Sequence, residues 1–176
     1  NLEMNFLEGV LRYTTTSGIS FKGVNSQDNA LGVGFAAPNQ ITQISTEILD
    51  LPAGSGNYEQ AGMWFGYDQD NYIKLVAIST PQGEQLHYLM ELAGVVEVEK
   101  NLAVPGLVGA DIALSMVVDP YKRTVDLKYQ IEGSATTQAA TLTPPDEFFS
   151  FDAAGIDPEI GTRSFTGIFA THRYAS

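Results

Sequence analysis

The chain has 176 residues, room for one domain with a sizeable core, and 44% of them are hydrophobic, which excludes a disordered tail. Against 9 Lys and Arg stand 21 acidic residues, a formal net charge of -12. Such a surface repels nucleic-acid phosphates and anionic membranes and suits neutral polymers and cations. There is no cysteine, so disulfides, thiolate metal sites and cysteine nucleophiles are excluded. Apolar runs are broken by charge well short of the ~20 residues that span a bilayer, so no membrane insertion is expected. No signal-peptide pattern opens the sequence at Asn1, which says little about location.

In chain order, residues 2–13 (LEMNFLEGVLRY) fit a short helix or two short strands; the alternation of Leu2, Met4 and Phe6 favours strands around Gly9. TTTSG (14–18) reads as a turn, 19–24 as a short strand, NSQDNA (25–30) as a polar loop and LGVGFA (31–36) as a strand. QITQISTEIL (40–49) has spacing that also suits a helix, but its branched residues and Thr content favour a strand. PAGSGN (52–57) is a turn. The stretch 58–79 (YEQAGMWFGYDQDNYIKLVAIS) then reads as a central hairpin, with strands over 58–65 and 72–78 and a tight polar turn over 67–71. Period-two alternation puts Met63 and Phe65 on one face and Gly62, Trp64 and Gly66 on the other. On the return strand, Ile73, Leu75 and Ala77 oppose Tyr72, Lys74, Val76 and Ile78.

After the turn PQGE (81–84), QLHYLMEL (85–92) predicts a strand separating Leu86, Tyr88, Met90 and Leu92 from His87, Leu89 and Glu91. GVVEVEK (94–100) follows with Glu97 and Glu99 outward. DIALSMVV (111–118), the turn DPYK (119–122) and TVDLKYQI (124–131) form the cleanest hairpin. Residues 133–143 are small and polar. Residues 143–164 hold several breakers and should wander over the surface, tacked down by Phe148, Phe149, Phe151 and Ile156. FTGIFAT (165–171) is a last strand. With ten or more strands and no convincing repeat, the expectation is an all-β chain: one two-sheet antiparallel β-sandwich over residues 1–176.

Two constellations could hold a ligand. DQDN puts Asp68, Asp70 and Asn71 on a short turn whose oxygens suit calcium. The alternative is an acidic turn whose side chains cap their own backbone. The stretch NSQDN (25–29) offers Asn25, Asp28 and Asn29, with a plain polar loop as the alternative; a meeting of the two loops in space would favour a shared site. The second constellation is Trp64, Tyr67, Tyr72, Lys74, His87 and Glu91, with Trp64, Lys74 and His87 facing outward on adjacent strands. An aromatic plane beside hydrogen-bonding groups suits a neutral sugar ring; the alternative is a core tryptophan and an ordinary exposed lysine. Catalysis has little support: GxSxG is absent, as are phosphate-loop and dinucleotide fingerprints, and Glu97 with Glu99 reads as a solvated edge strand.

NALGVGF (29–35), YEQAGMWFGYDQDNYIKLVAIS (58–79), VVDPYKRTVDLKYQIEG (117–133) and GTRSFTGIFATHR (161–173) resemble concanavalin A-like lectin/glucanase sandwich domains attached to large secreted bacterial proteins. The resemblance implies a jelly roll of two antiparallel sheets in a secreted or cell-surface protein, beside neighbouring domains of a larger chain. It allows a structural calcium ion and a glycan on the concave sheet. The ExDxxE cluster of the glucanase branch is missing here, so a noncatalytic carbohydrate-binding or adhesion module is expected. The alternatives are a polysaccharide-degrading enzyme domain and a ligand-free structural spacer.

Overall fold

The computed structural model describes residues 2–5, 9–13, 15–27, 30–35, 40–149 and 164–172. In chain order the strands are β1 (Leu2–Asn5), β2 (Val10–Tyr13), β3 (Thr16–Ser17), β4 (Ser20–Phe21), β5 (Val24–Asn25), β6 (Ala30–Phe35), β7 (Thr42–Ile48), β8 (Gln60–Gly66), β9 (Tyr72–Thr80), β10 (Gly83–Leu92), β11 (Val95–Leu102), β12 (Ile112–Asp119), β13 (Thr124–Ile131), β14 (Thr137–Leu142) and β15 (Ser164–His172). One short 3-10 helix, η1, spans Asp146–Phe149.

Two main sheets form. A four-stranded sheet runs β14-β13-β12-β7, and a seven-stranded sheet runs β11-β10-β9-β8-β15, with β6 and β3 both pairing with the far side of β15. The ladders are antiparallel except for the two-residue parallel pairing of β3 with β15. The two-sheet antiparallel sandwich expected from the sequence is the architecture found.

Alternation decides which face each strand buries. Met63, Phe65, Ile73, Leu75, Leu86, Tyr88 and Met90 of the larger sheet meet Ile112, Leu114, Met116, Val125 and Leu127 of the smaller one in a shared core. Each fully buried aliphatic or aromatic side chain contributes about 1.5–3 kcal/mol relative to exposure. Phe148 of η1 closes this core, with its ring 5.9 Å from that of Phe65 and 5.2 Å from that of Tyr67. Phe148 and Phe149 thus anchor their segment as expected; Phe151 and Ile156 lie outside the described residues.

Three stretches differ from the sequence reading. TQAATL, within the stretch expected only to be small and polar, is strand β14, because its backbone completes the ladder of β13. The turn expected at 14–18 contains β3. The single short strand expected at 19–24 is a tight hairpin, β4 and β5, with Lys22 and Gly23 at its tip. Both tip residues have positive φ, 56° and 68°, the left-handed pair that a two-residue hairpin turn requires.

Candidate functional site

The outer face of the seven-stranded sheet collects most of the sequence-predicted ligand residues. Cross-strand register sets Trp64 of β8 opposite Lys74 of β9, and Tyr72 of β9 opposite Glu91 of β10. His87 on β10 pairs with Val76 and Asn101. Tyr67 is not part of this group, because it follows β8 and packs edge-on against Phe148 at the core.

Trp64 is partly exposed. Its indole lies along the sheet, over Gly167 of β15 and then Gly32 of β6. A Cβ on Gly167 would come within 2.6 Å of the indole nitrogen, and one on Gly32 within 3.2 Å of its far ring. The flanking outward positions on β8 are also glycines, Gly62 and Gly66. The indole edge is backed by an apolar patch of Val76, Ile78 and Phe169, with Tyr58 beside it.

The exposure expected for Lys74 and His87 is not found. Lys74 is 2% exposed, His87 4% and Glu91 0%. The cause is distant in sequence: residues 15–27 cross this face as a strap. The Glu91 carboxylate accepts the Lys22 and Gly23 backbone N–H groups at 2.7 and 2.8 Å and the Tyr72 hydroxyl at 3.3 Å. The Lys74 ammonium donates to the Ser20 carbonyl at 2.9 Å and to Gln60 Oε1 at 3.1 Å, and sits 6.0 Å from the Phe169 ring centre. At the β15 end, the Thr171 hydroxyl and the Thr16 and Gly18 carbonyls are joined at 2.9 Å, and Gly18 N–H donates to the His172 carbonyl. Ser20, Lys22, Gly23 and Thr171 therefore belong to the site although the sequence reading missed them. Their only sequence signal is the Lys-Gly tip.

Burial sets the electrostatics. It lowers the Lys74 pKa to about 8, against the opposing pull of Glu91 and Glu99. Burial also raises the Tyr72 phenol well above its ordinary value, reinforced by Glu91. The His87 imidazole is pushed down to about 3 by burial and by the Lys74 charge. Glu99 lies 3.3 Å from His87 Nε2, but its side chain is 45% exposed, so solvent screens its support for the imidazolium. His87 Nδ1 has no hydrogen-bond partner among the described residues.

The polar turn is organised around its own backbone. The Asp68 carboxylate accepts the Asp70 N–H and the Asn71 amide, while Asn71 Oδ1 accepts the Ala93 N–H. The two polar loops do meet: Asn25 Nδ2 donates to Asp70 Oδ1 at 3.0 Å. Asp28 and Asn29 lie outside the described residues. Both Asp68 oxygens, one Asp70 oxygen and the Asn71 oxygen thus each accept an N–H donor from within the protein, which is the backbone-capping arrangement of an acidic turn. Among the described residues no group of three or more His, Asp or Glu side chains is placed to hold a metal. No described helix is long and apolar enough to cross a membrane.

No protein-family model matches the chain, and no curated protein matches it either. Among solved structures it is similar to a functionally unknown protein from Saccharomyces cerevisiae at 14% identity and TM-score 0.61, covering 89% of this chain and 72% of that one. A GH43 protein of the Bacteroides ovatus xyloglucan PUL is similar at 18% identity and TM-score 0.66, covering 94% of this chain and 29% of that one. The GH43 protein BlXynB from Bacillus licheniformis is similar at 24% identity and TM-score 0.65, covering 93% and 29%. At these identities the likeness shows the fold alone. The chain spans under a third of the length of the two GH43 structures.

Proposed function

We propose that the chain is a noncatalytic carbohydrate-binding or adhesion module of a larger secreted or cell-surface bacterial protein, taking a neutral or weakly charged glycan on the outer face of the seven-stranded sheet. The observation that carries this reading is Trp64. A lone tryptophan laid along a sheet, with glycines cleared beneath it, offers a flat apolar surface. Sugar C–H faces stack on such a surface while polar neighbours bond the hydroxyls. The net charge of -12 favours a neutral ligand over a polyanion. The likeness to under a third of two GH43 proteins, one from a xyloglucan PUL, supports a place within a longer chain and beside polysaccharide.

The noncatalytic part rests on the carboxylates. Glu91 is fully buried and committed to three donors. Glu97 and Glu99 stand exposed on edge strand β11, with Glu99 against His87. A glycan-array screen with and without calcium tests the reading. The expected result is binding to a neutral glycan that falls about tenfold or more in Trp64→Ala with the fold intact. No binding to any glycan, or undiminished binding by Trp64→Ala, contradicts it.

A further inference from the structure

We infer that residues 15–27 are a displaceable strap, and that its opening uncovers Tyr72, Lys74, His87 and Glu91 for a ligand presenting vicinal hydroxyls. This rests on the proposed glycan site for the ligand, but not for the opening. The strap is held by polar contacts rather than by apolar burial. Its β4–β5 hairpin has two residues per strand, and Val24 at the start of β5 is 48% exposed. Hairpins this short have little stability of their own. Segments held by few apolar contacts open locally at a lower cost than the whole fold.

The bonds that hold the strap are those a sugar could replace. Glu91 accepts two adjacent N–H donors, Lys22 and Gly23, as a carboxylate accepts two neighbouring O–H donors of a diol. Lys74 donates to one carbonyl oxygen, that of Ser20, where a hydroxyl oxygen would serve as well. Exchanging a main-chain partner for water or for a sugar hydroxyl keeps both charged groups satisfied, so the exchange is nearly balanced. The closed form also leaves buried polar side-chain atoms of the strap and of the sheet unsatisfied. Thr16 Oγ1, Asn25 Oδ1 and Gln27 Oε1 on the strap, and His87 Nδ1 on the sheet, are buried with no hydrogen-bond partner among the described residues. These are all the orphaned side-chain atoms of that kind among the described residues, and opening would hydrate them.

The experiment needs a lock. Gly23 at the strap tip and Gly94 at the β10–β11 turn touch: a Cβ on either lies 3.5 or 3.3 Å from the other's Cα. The chain has no cysteine, so Gly23→Cys with Gly94→Cys gives a single disulfide. Native-state acylation of Lys74, read by mass spectrometry against exposed Lys122, reports opening without any ligand. The expected result is labelling of Lys74 in the folded unlocked chain, slowed about tenfold or more by the disulfide and restored by reductant. Because both positions have positive φ, amide exchange at Lys22 and Gly23 in the unmodified chain is a second measure. Their protection should fall well below that of Leu75 and Val76 in β9. Lys74 labelling at one rate in both forms, or protection at Lys22 equal to that in β9, overturns the strap. So does undiminished binding by the locked form of a glycan that the reduced form binds. Opening with no glycan bound by either form leaves the strap standing and removes the glycan reading.

Discussion

The indole of Trp64 needs the absence of two Cβ atoms. A methyl group on Gly167 would stand 2.6 Å from its nitrogen and 2.5 Å from the Leu31 carbonyl oxygen, and neither neighbour is a flexible chain end. Gly167→Ala should therefore destabilise the fold by about 1–3 kcal/mol, the usual range for overpacking. Urea unfolding reads this as a lower midpoint, and an unchanged midpoint would show that the indole moves freely. His87 gives a second residue-scale outcome. Its folded pKa of about 3 lies below the ordinary imidazole value of 6.5, so the unfolded chain binds the proton first as pH falls. The stabilising share is complete above pH 6.5 and is lost as the pH drops towards 3, at up to about 1.4 kcal/mol per pH unit. His87→Gln should flatten that part of the stability–pH curve. An equally steep curve in the variant would assign the acid loss to carboxylates.

At the scale of elements, η1 shows how four residues can close a sandwich. Phe148 is fully buried between the rings of Phe65 and Tyr67, while Arg123 reaches both oxygens of Asp146 at its start. Phe148→Ala should cost about 3–5 kcal/mol, as large-to-small changes of buried aromatics do. A cost below 1 kcal/mol, read from the urea midpoint and slope, would mean the end of the core is already loose. The elements with strong alternation were legible in the sequence. The β8–β9 and β12–β13 hairpins, and the outward row of Trp64, Tyr72, Lys74, His87 and Glu91, follow from period two and from turn residues. Strand β14 was not, since TQAATL has no apolar alternation and only its ladder with β13 makes it a strand. The burial of Lys74 and Glu91 was not legible either. Their partners Ser20, Lys22 and Gly23 lie 54 to 69 positions away, and no local pattern announces a contact from a backbone to a distant side chain.

For the molecule as a whole, the two sheets divide the work. The inner faces supply one apolar core, and the outer face of the larger sheet holds an aromatic half beside a charged half under the strap. The Asp68–Asp70–Asn71 turn joins the strap through Asn25 by protein hydrogen bonds, so chelation should leave the thermal midpoint unchanged. A drop with chelator that calcium reverses would show an ion bound elsewhere in the chain or at a rearranged turn. The proposed glycan site lies on the outer face, and the single tryptophan gives it a built-in reporter. Titrating neutral oligosaccharides while following the Trp64 indole N–H signal by NMR is the most direct measurement. The account predicts a saturable shift of that signal, with the amides of Gly167 and Gly32 moving alongside it. An indole signal that stays fixed while a glycan binds, or under every oligosaccharide tried, would contradict it.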